Sequence, residues 1–246
     1  MKPWLLVSPA NRGLGLATAR HLLSTTPHPL LATSRSTAES NLRAALLKDL
    51  PASTCSRLIT VTGVDVTDEA SVEEAARVAR ERFPPAEFRL GVGVVLPGVL
   101  TVEKSVGQVD YERALWSFRV NTLGPLLLAK HFLGFLPRES HRLDSPSLPL
   151  QASLLLTAAR LGSTSDNRLG GWPTYRASKA GVISLARTLD HEVRRASGDA
   201  AMVVAYHPGT VKTEFSRDFW GSVGGAGGSL LEDGVAAESL GDEVLP

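Results

Sequence analysis

Short apolar runs recur at residues 4–8, 28–33, 57–62, 90–96, 151–157 and 201–206. They are nearly continuous rather than alternating, which is the pattern of parallel strands covered on both faces. Helical periods lie between them. The clearest stripe is Val72, Ala75, Ala76, Ala79 and Phe83, at i, i+3, i+4, i+7 and i+11, with Asp68 and Glu69 near its positive end and Pro84-Pro85 stopping it. Further helices are expected over 16–24, over 39–50, and over 108–135, where Asn121 stands amid apolar positions and Pro125 is placed to kink the chain. A last one follows Pro173, with a core stripe at Val182, Leu185, Ala186, Leu189 and Val193. Residues 137–149 read as a surface excursion and 160–172 as a long loop. This alternation predicts an α/β chain with a single doubly wound parallel sheet. The pattern stops after Trp220, so the expected domain is 1–220, followed by a glycine-rich, irregular tail at 221–246.

Composition narrows the class. The chain of 246 residues is 43% hydrophobic and 21% charged, enough for one large core. A net charge of +1 gives no electrostatic case for nucleic acid or an anionic membrane. Cys55 is the single cysteine, which excludes an internal disulfide. Gly, Pro, Lys or His break the apolar runs before they reach a membrane span. The N-terminal run is too short for a signal peptide. A cytoplasmic protein is expected. The six histidines form no metal-ligand spacing, and no Gly-x-Ser-x-Gly elbow marks a serine hydrolase.

The chemically suggestive residues collect where strands end, the edge on which ligands bind in such sheets. The first strand runs into Ser8-Pro9-Ala10-Asn11-Arg12-Gly13-Leu14-Gly15 and then a helix. In that context a glycine turn brings backbone N–H groups and a positive helix end to a diphosphate; a plain tight turn is the other reading. Arg35 ends the second strand, where an arginine accommodates a ribose 2′-phosphate, and with Arg12 nearby it points to NADP over NAD. Asp65 and Val66 follow the third strand; Asp65 has two readings, an adenine contact or a turn cap. Pro97-Gly98 follows the fourth, Gly162 lies beyond the fifth, and Pro208-Gly209 follows the sixth. Tyr175 and Lys179 stand four apart, one turn along a single helix face. An ammonium beside a phenol lowers its pKa from about 10, and such a phenol can trade a proton with a carbonyl or alcohol oxygen.

Taken together, Tyr175-x-x-x-Lys179 with Ser178, the Asn121 helix, and Pro208-Gly209-Thr210-Val211-x-Thr213 resemble the short-chain dehydrogenase/reductase family, from about Trp4 to Phe215. The segment from Gly162-Ser163 through Asp166-Asn167 and Gly170-Gly171 to Lys179 is similar to its carbonyl-reductase-like, C-factor-like branch. The resemblance implies a Rossmann domain and NAD(P)-dependent oxidation or reduction of a small carbonyl/alcohol pair. Tyr175 would be the acid–base, Lys179 would bind the nicotinamide ribose and lower the tyrosine pKa, and Asn121 would hold a relay water. Ser8, Asn11, Arg12, Gly13, Leu14, Gly15, Arg35, Asp65, Val66, Pro97, Gly98, Pro208, Gly209, Val211 and Thr213 would line the cofactor.

Departures from the family pattern carry their own expectations. Ser8-Pro9 replaces Thr-Gly, and Val95-Leu96-Pro97-Gly98 replaces Asn-Asn-Ala-Gly. The substrate-orienting serine aligns with Ala159, so Ser163 is the catalytic candidate in its stead, with Thr157 as the other. The usual last helix and strand read as degenerate or missing, which leaves a homo-oligomer open through an altered interface. A second function class stands beside the enzyme: an NADP(H)-binding sensor or interaction partner with little catalysis, favoured by Ala158-Ala159 and Pro9.

Overall fold

The computed structural model describes residues 1–217, 220 and 230–244. Six parallel strands form one sheet: β1 (Lys2–Ser8), β2 (Leu30–Ser34), β3 (Leu58–Thr62), β4 (Phe88–Val95), β5 (Ala152–Thr157) and β6 (Ala201–Tyr206). Their order is β3-β2-β1-β4-β5-β6. The winding reverses between β1 and β4, which pair from Lys2–Phe88 to Ser8–Val95. A crevice at the C-terminal ends of these two strands is the position at which such sheets take ligands.

Alternation along β1 explains its unbroken apolar run. Trp4 and Leu6 enter one core, with helices α3 (Glu69–Arg82), α5 (Gly124–Phe132) and α6 (Pro173–Ser197). Leu5 and Val7 enter the other, with α1 (Gly13–Thr25), α2 (Glu39–Leu47) and Leu240 of α7 (Asp233–Val244). Successive side chains of a strand point to opposite faces, so a strand covered on both sides must be apolar throughout. Trp4 also stacks on Phe83 at 4.6 Å.

The helical stretch expected over 108–135 runs without a gap through α4 (Tyr111–Phe118), a π-helical turn at Arg119–Leu123, and α5, with its irregularity at Asn121 and Pro125. Gly124 donates its N–H to the Arg119 carbonyl, five residues back. Pro125 has no N–H to give the Asn121 carbonyl four residues before it, so the local pattern widens at Asn121. The region expected to be an irregular tail holds β8 (Leu230–Glu232), which pairs in parallel with β7 (Thr210–Lys212), and α7, whose buried Ala236, Ala237 and Leu240 pack it against α1. That stripe is too short to show as a period, and docking supplies the stability that propensity lacks. The expected glycine-rich stretch at 221–228 lies outside the described residues. Among the described residues no further strand joins the main sheet, and no helix is long and apolar enough to cross a membrane.

Candidate active site

Gly13 opens α1 at φ 49°, a conformation that favours glycine. Gly15 is fixed by space: a Cβ there would lie 2.1 Å from the Pro9 carbonyl oxygen. The N-cap residue Arg12 makes no side-chain cap and the first turn carries no acid, so the positive end of α1 is left to another acceptor. Ser8 is turned inward, its hydroxyl accepting from Thr33 Oγ1 at 2.7 Å. It braces β1 against β2 rather than facing the crevice. Asn11 and Arg12 are exposed, and Arg12 pairs with Glu214 at 3.5 Å.

Arg35 is exposed at the end of β2. For Asp65 the structure displays the turn cap: its Oδ1 accepts from the Thr67 N–H and the Thr67 hydroxyl, both at 2.8 Å. Partial burial works to raise the Asp65 pKa, but these hydrogen bonds, with the charges of Arg35 and Arg119, outweigh it and hold the carboxyl below its usual value. Val66 fills the space beside Gly124, where an added Cβ would meet its Cγ2 at 2.7 Å.

Asn121 is 0% exposed. Its Oδ1 accepts from the Val99 N–H at 2.7 Å, and its Nδ2 donates to the Val99 carbonyl (2.9 Å), Ser178 Oγ (3.0 Å) and Ser117 Oγ (3.2 Å). A buried amide needs such partners; here they tie the loop after β4 to α6. The site meets at Gly98. From the position its Cβ would take, Phe215 Cε2 is 3.7 Å away, Asn121 Oδ1 3.8 Å and Lys179 Nζ 3.9 Å. An open cleft of about 630 Å³ borders the same loop, between Val99–Val102 and Glu112, Arg113 and Trp116.

Tyr175 is 6% exposed and Lys179 is 2% exposed, both in the first two turns of α6. Lys179 Nζ donates to the Thr157 carbonyl at the end of β5, at 2.8 Å. The expected tuning of the phenol is corrected in direction. Burial pushes Tyr175 up to about 12 and Lys179 down to about 8, because loss of water penalises whichever form is charged. His207, after β6, is also lowered, by burial first and then by Arg160 and Lys179.

Ser163, expected in place of the family serine, has its hydroxyl within its own turn, beside Ser165 Oγ at 3.2 Å and accepting from the Asp166 N–H at 3.3 Å. Thr157 Oγ1 is buried without a hydrogen-bond partner among the described residues. Pro208 leads into Gly209 at φ 79°. Val211 lies buried in β7, and Thr213 Cγ2 would stand 3.2 Å from a Cβ on Gly13. Ser178 belongs to the Tyr175–Lys179 motif already, but its bond to Asn121, and the site positions of Ser117 and Phe215, are added by the structure. The two serines follow from a buried asparagine's need for acceptors; Phe215 gave no signal. Among the described residues no three His, Cys, Asp or Glu side chains are placed to hold a metal ion.

Comparison with known proteins fits this geometry. Residues 9–226 match the family model described as enoyl-(acyl carrier protein) reductase. The chain is 33% identical to the 1-hydroxy-2-glutathionyl-2-methyl-3-butene dehydrogenase of Rhodococcus sp. (strain AD45) over 159 residues, 65% of this chain and 62% of that protein. It is 30% identical to the C-signal protein of Myxococcus xanthus over 122 residues, 48% of this chain and 63% of that protein. The chain thus spans a little under two thirds of each of these relatives. The crystal structure of the NADPH-bound carbonyl reductase from chicken fatty liver superimposes with a TM-score of 0.77 at 25% identity, covering 99% of this chain and 92% of that one. The chain belongs to the short-chain dehydrogenase/reductase family, with carbonyl reductases among its structural neighbours.

Proposed function

We propose that the protein is an NADP-dependent reductase of a small carbonyl compound, with Tyr175 as the proton donor, Lys179 beside it and Asn121 in the relay. The observation that carries this reading is the approach of Lys179 and Asn121 to Gly98 at the C-terminal edge of β4. The residues suit a dinucleotide: a glycine turn presses against an uncapped helix end, and Arg35 stands exposed where a 2′-phosphate would lie. The nicotinamide, when bound, supplies the hydride.

The chain's own residues supply the rest. A phenol at about 12 stays protonated at neutral pH, which suits giving a proton to a developing alkoxide more than taking one from an alcohol. Lys179 is buried but still largely charged at pH 7, since its pKa is about 8, so it favours the negative oxygen that forms nearby. The Asn121 carbonyl, denied an N–H by Pro125, is a natural acceptor for a relay water. Cytoplasmic location and a small-molecule partner complete the proposal.

Purified protein with NADPH and a panel of aldehydes, ketones and quinones should consume NADPH, and Tyr175→Phe should lose about 10²- to 10⁴-fold in rate. Titration should show tighter binding of NADPH than of NADH. Unchanged turnover in Tyr175→Phe overturns the assignment. A second reading, a cofactor-binding sensor or interaction partner with little catalysis, draws support from Ala158-Ala159 and from Thr213 and Phe215 lying beside Gly13 and Gly98. It predicts NADPH binding without turnover across the panel.

A further inference from the structure

Helix α6 begins without a cap of its own. The N-cap position is Trp172, whose indole offers no acceptor. The first helical residue, Pro173, has no N–H, so Thr174 is the first donor of a buried helix end that must find an acceptor. The acceptor comes from 71 residues upstream. Glu103, in the loop after β4, takes the Thr174 N–H at 2.9 Å on one carboxylate oxygen and the Thr174 hydroxyl at 2.6 Å on the other. It is only 2% exposed, a rare place for a carboxylate unless its oxygens are satisfied.

The same residue also secures the approach to the helix. Gly170, Gly171 and Trp172 have φ of 64°, 69° and 51°. Glycine accepts this left-handed path readily, but for tryptophan it is strained and persists only where surroundings enforce it. The Trp172 N–H donates to the Glu103 carbonyl oxygen at 2.6 Å. The Trp172 ring then meets the Tyr175 ring edge-on at 6.2 Å and 77°.

We infer that Glu103 is a positioning residue for Tyr175: its carboxylate caps the helix in trans, its carbonyl holds the left-handed turn, and together they set where the phenol stands. Its negative charge at a helix N-terminus adds to the fit. The inference rests on the reductase reading for its catalytic consequence but not for its structural one, and the test separates the two.

In the full-length protein, Glu103→Ala should lower kcat about 10²-fold, the scale expected when a reacting group is displaced by about 1 Å. The NADPH dissociation constant should stay within about twofold, because the diphosphate would be held by the glycine turn after β1 and not by the cap. Glu103→Gln keeps an oxygen acceptor for Thr174 and should recover kcat to within about fivefold of the parent. Thr174→Val, which keeps the N–H, should fall between the two and serves if Glu103→Ala does not fold. A Glu103→Gln variant no better than Glu103→Ala, or a loss that merely tracks the folded fraction, overturns the inference. If the parent itself turns over no carbonyl, the reductase reading fails alone, and amide hydrogen exchange decides. Exchange at 172–176 should quicken at least about tenfold in Glu103→Ala with the rest of α6 unchanged; unaltered exchange there refutes the positioning role.

Discussion

Gly162 rests directly on the backbone of Lys179: a Cβ at Gly162 would lie 2.6 Å from the Lys179 carbonyl carbon and 2.9 Å from its oxygen. Backbone atoms cannot turn aside as a side-chain tip can. Gly162→Ala should therefore displace α6 or the turn after β5, with a stability loss of about 1–3 kcal/mol and a fall in NADPH-dependent activity larger than the loss of folded protein. Chemical denaturation and steady-state rates on one preparation measure both. Native stability in Gly162→Ala would show that the contact is not tight.

In its proposed role, Lys179 would set function against stability. Its folded pKa of about 8 lies below the ordinary lysine value of 10.5, so between those values the unfolded chain binds more protons. Stability from this group should rise with pH across that window, and its full penalty is present below it. Lys179→Met removes the penalty. It should raise the melting temperature at pH 7 while abolishing carbonyl reduction, with the gain shrinking as pH approaches 10.5. A lower melting temperature at pH 7 contradicts the sign.

The same value shapes the rate profile. Reduction should hold steady near neutrality and decline as pH rises through about 8, where Lys179 loses its proton, while Tyr175 near 12 stays protonated over the whole range. A pH profile of kcat/KM, which reports ionisations of the free enzyme, checks this. A rate that climbs above pH 8 would assign the limiting ionisation to another group.

Phe215 lies beside Gly98 and Thr213 close to Gly13, so a dinucleotide bound as proposed would displace this segment. Its Arg12–Glu214 pair is exposed and weak. Phe215→Ala should tighten NADPH binding by about threefold to tenfold, because less of the population is held closed. Fluorescence titration reads this directly; weaker binding would mean that the ring supports the cofactor instead.

Ala159 is buried two residues beyond the end of β5, where the resemblance places a serine. Ala159→Ser should raise kcat by about tenfold or more, a fraction of the 10²–10³ that one such donor supplies in other enzymes. No gain in a folded variant would indicate that Thr157 already fills the role.

Much of this molecule could be read from one dimension. Period and composition placed the six strands, because a strand buried on both faces leaves a continuous apolar run, and spacing put Tyr175 and Lys179 on one helix. Asn121 drew notice as an amide among apolar neighbours, although the π-helical turn at Arg119–Leu123 depended on Pro125 and the surrounding packing. The packing of α7 on α1 was not legible, since three buried residues, Ala236, Ala237 and Leu240, do not make a visible stripe.

Sequence alone thus determined the fold class and the residue types at the strand ends, since both follow from local periodicity and short motifs. Tertiary structure decided the rest: that burial raises Tyr175 and lowers Lys179, that Phe215 lies beside Gly98, and that Glu103 caps a helix 71 residues away. Desolvation and long-range hydrogen bonds depend on which segments pack together in space, and no local pattern carries that information.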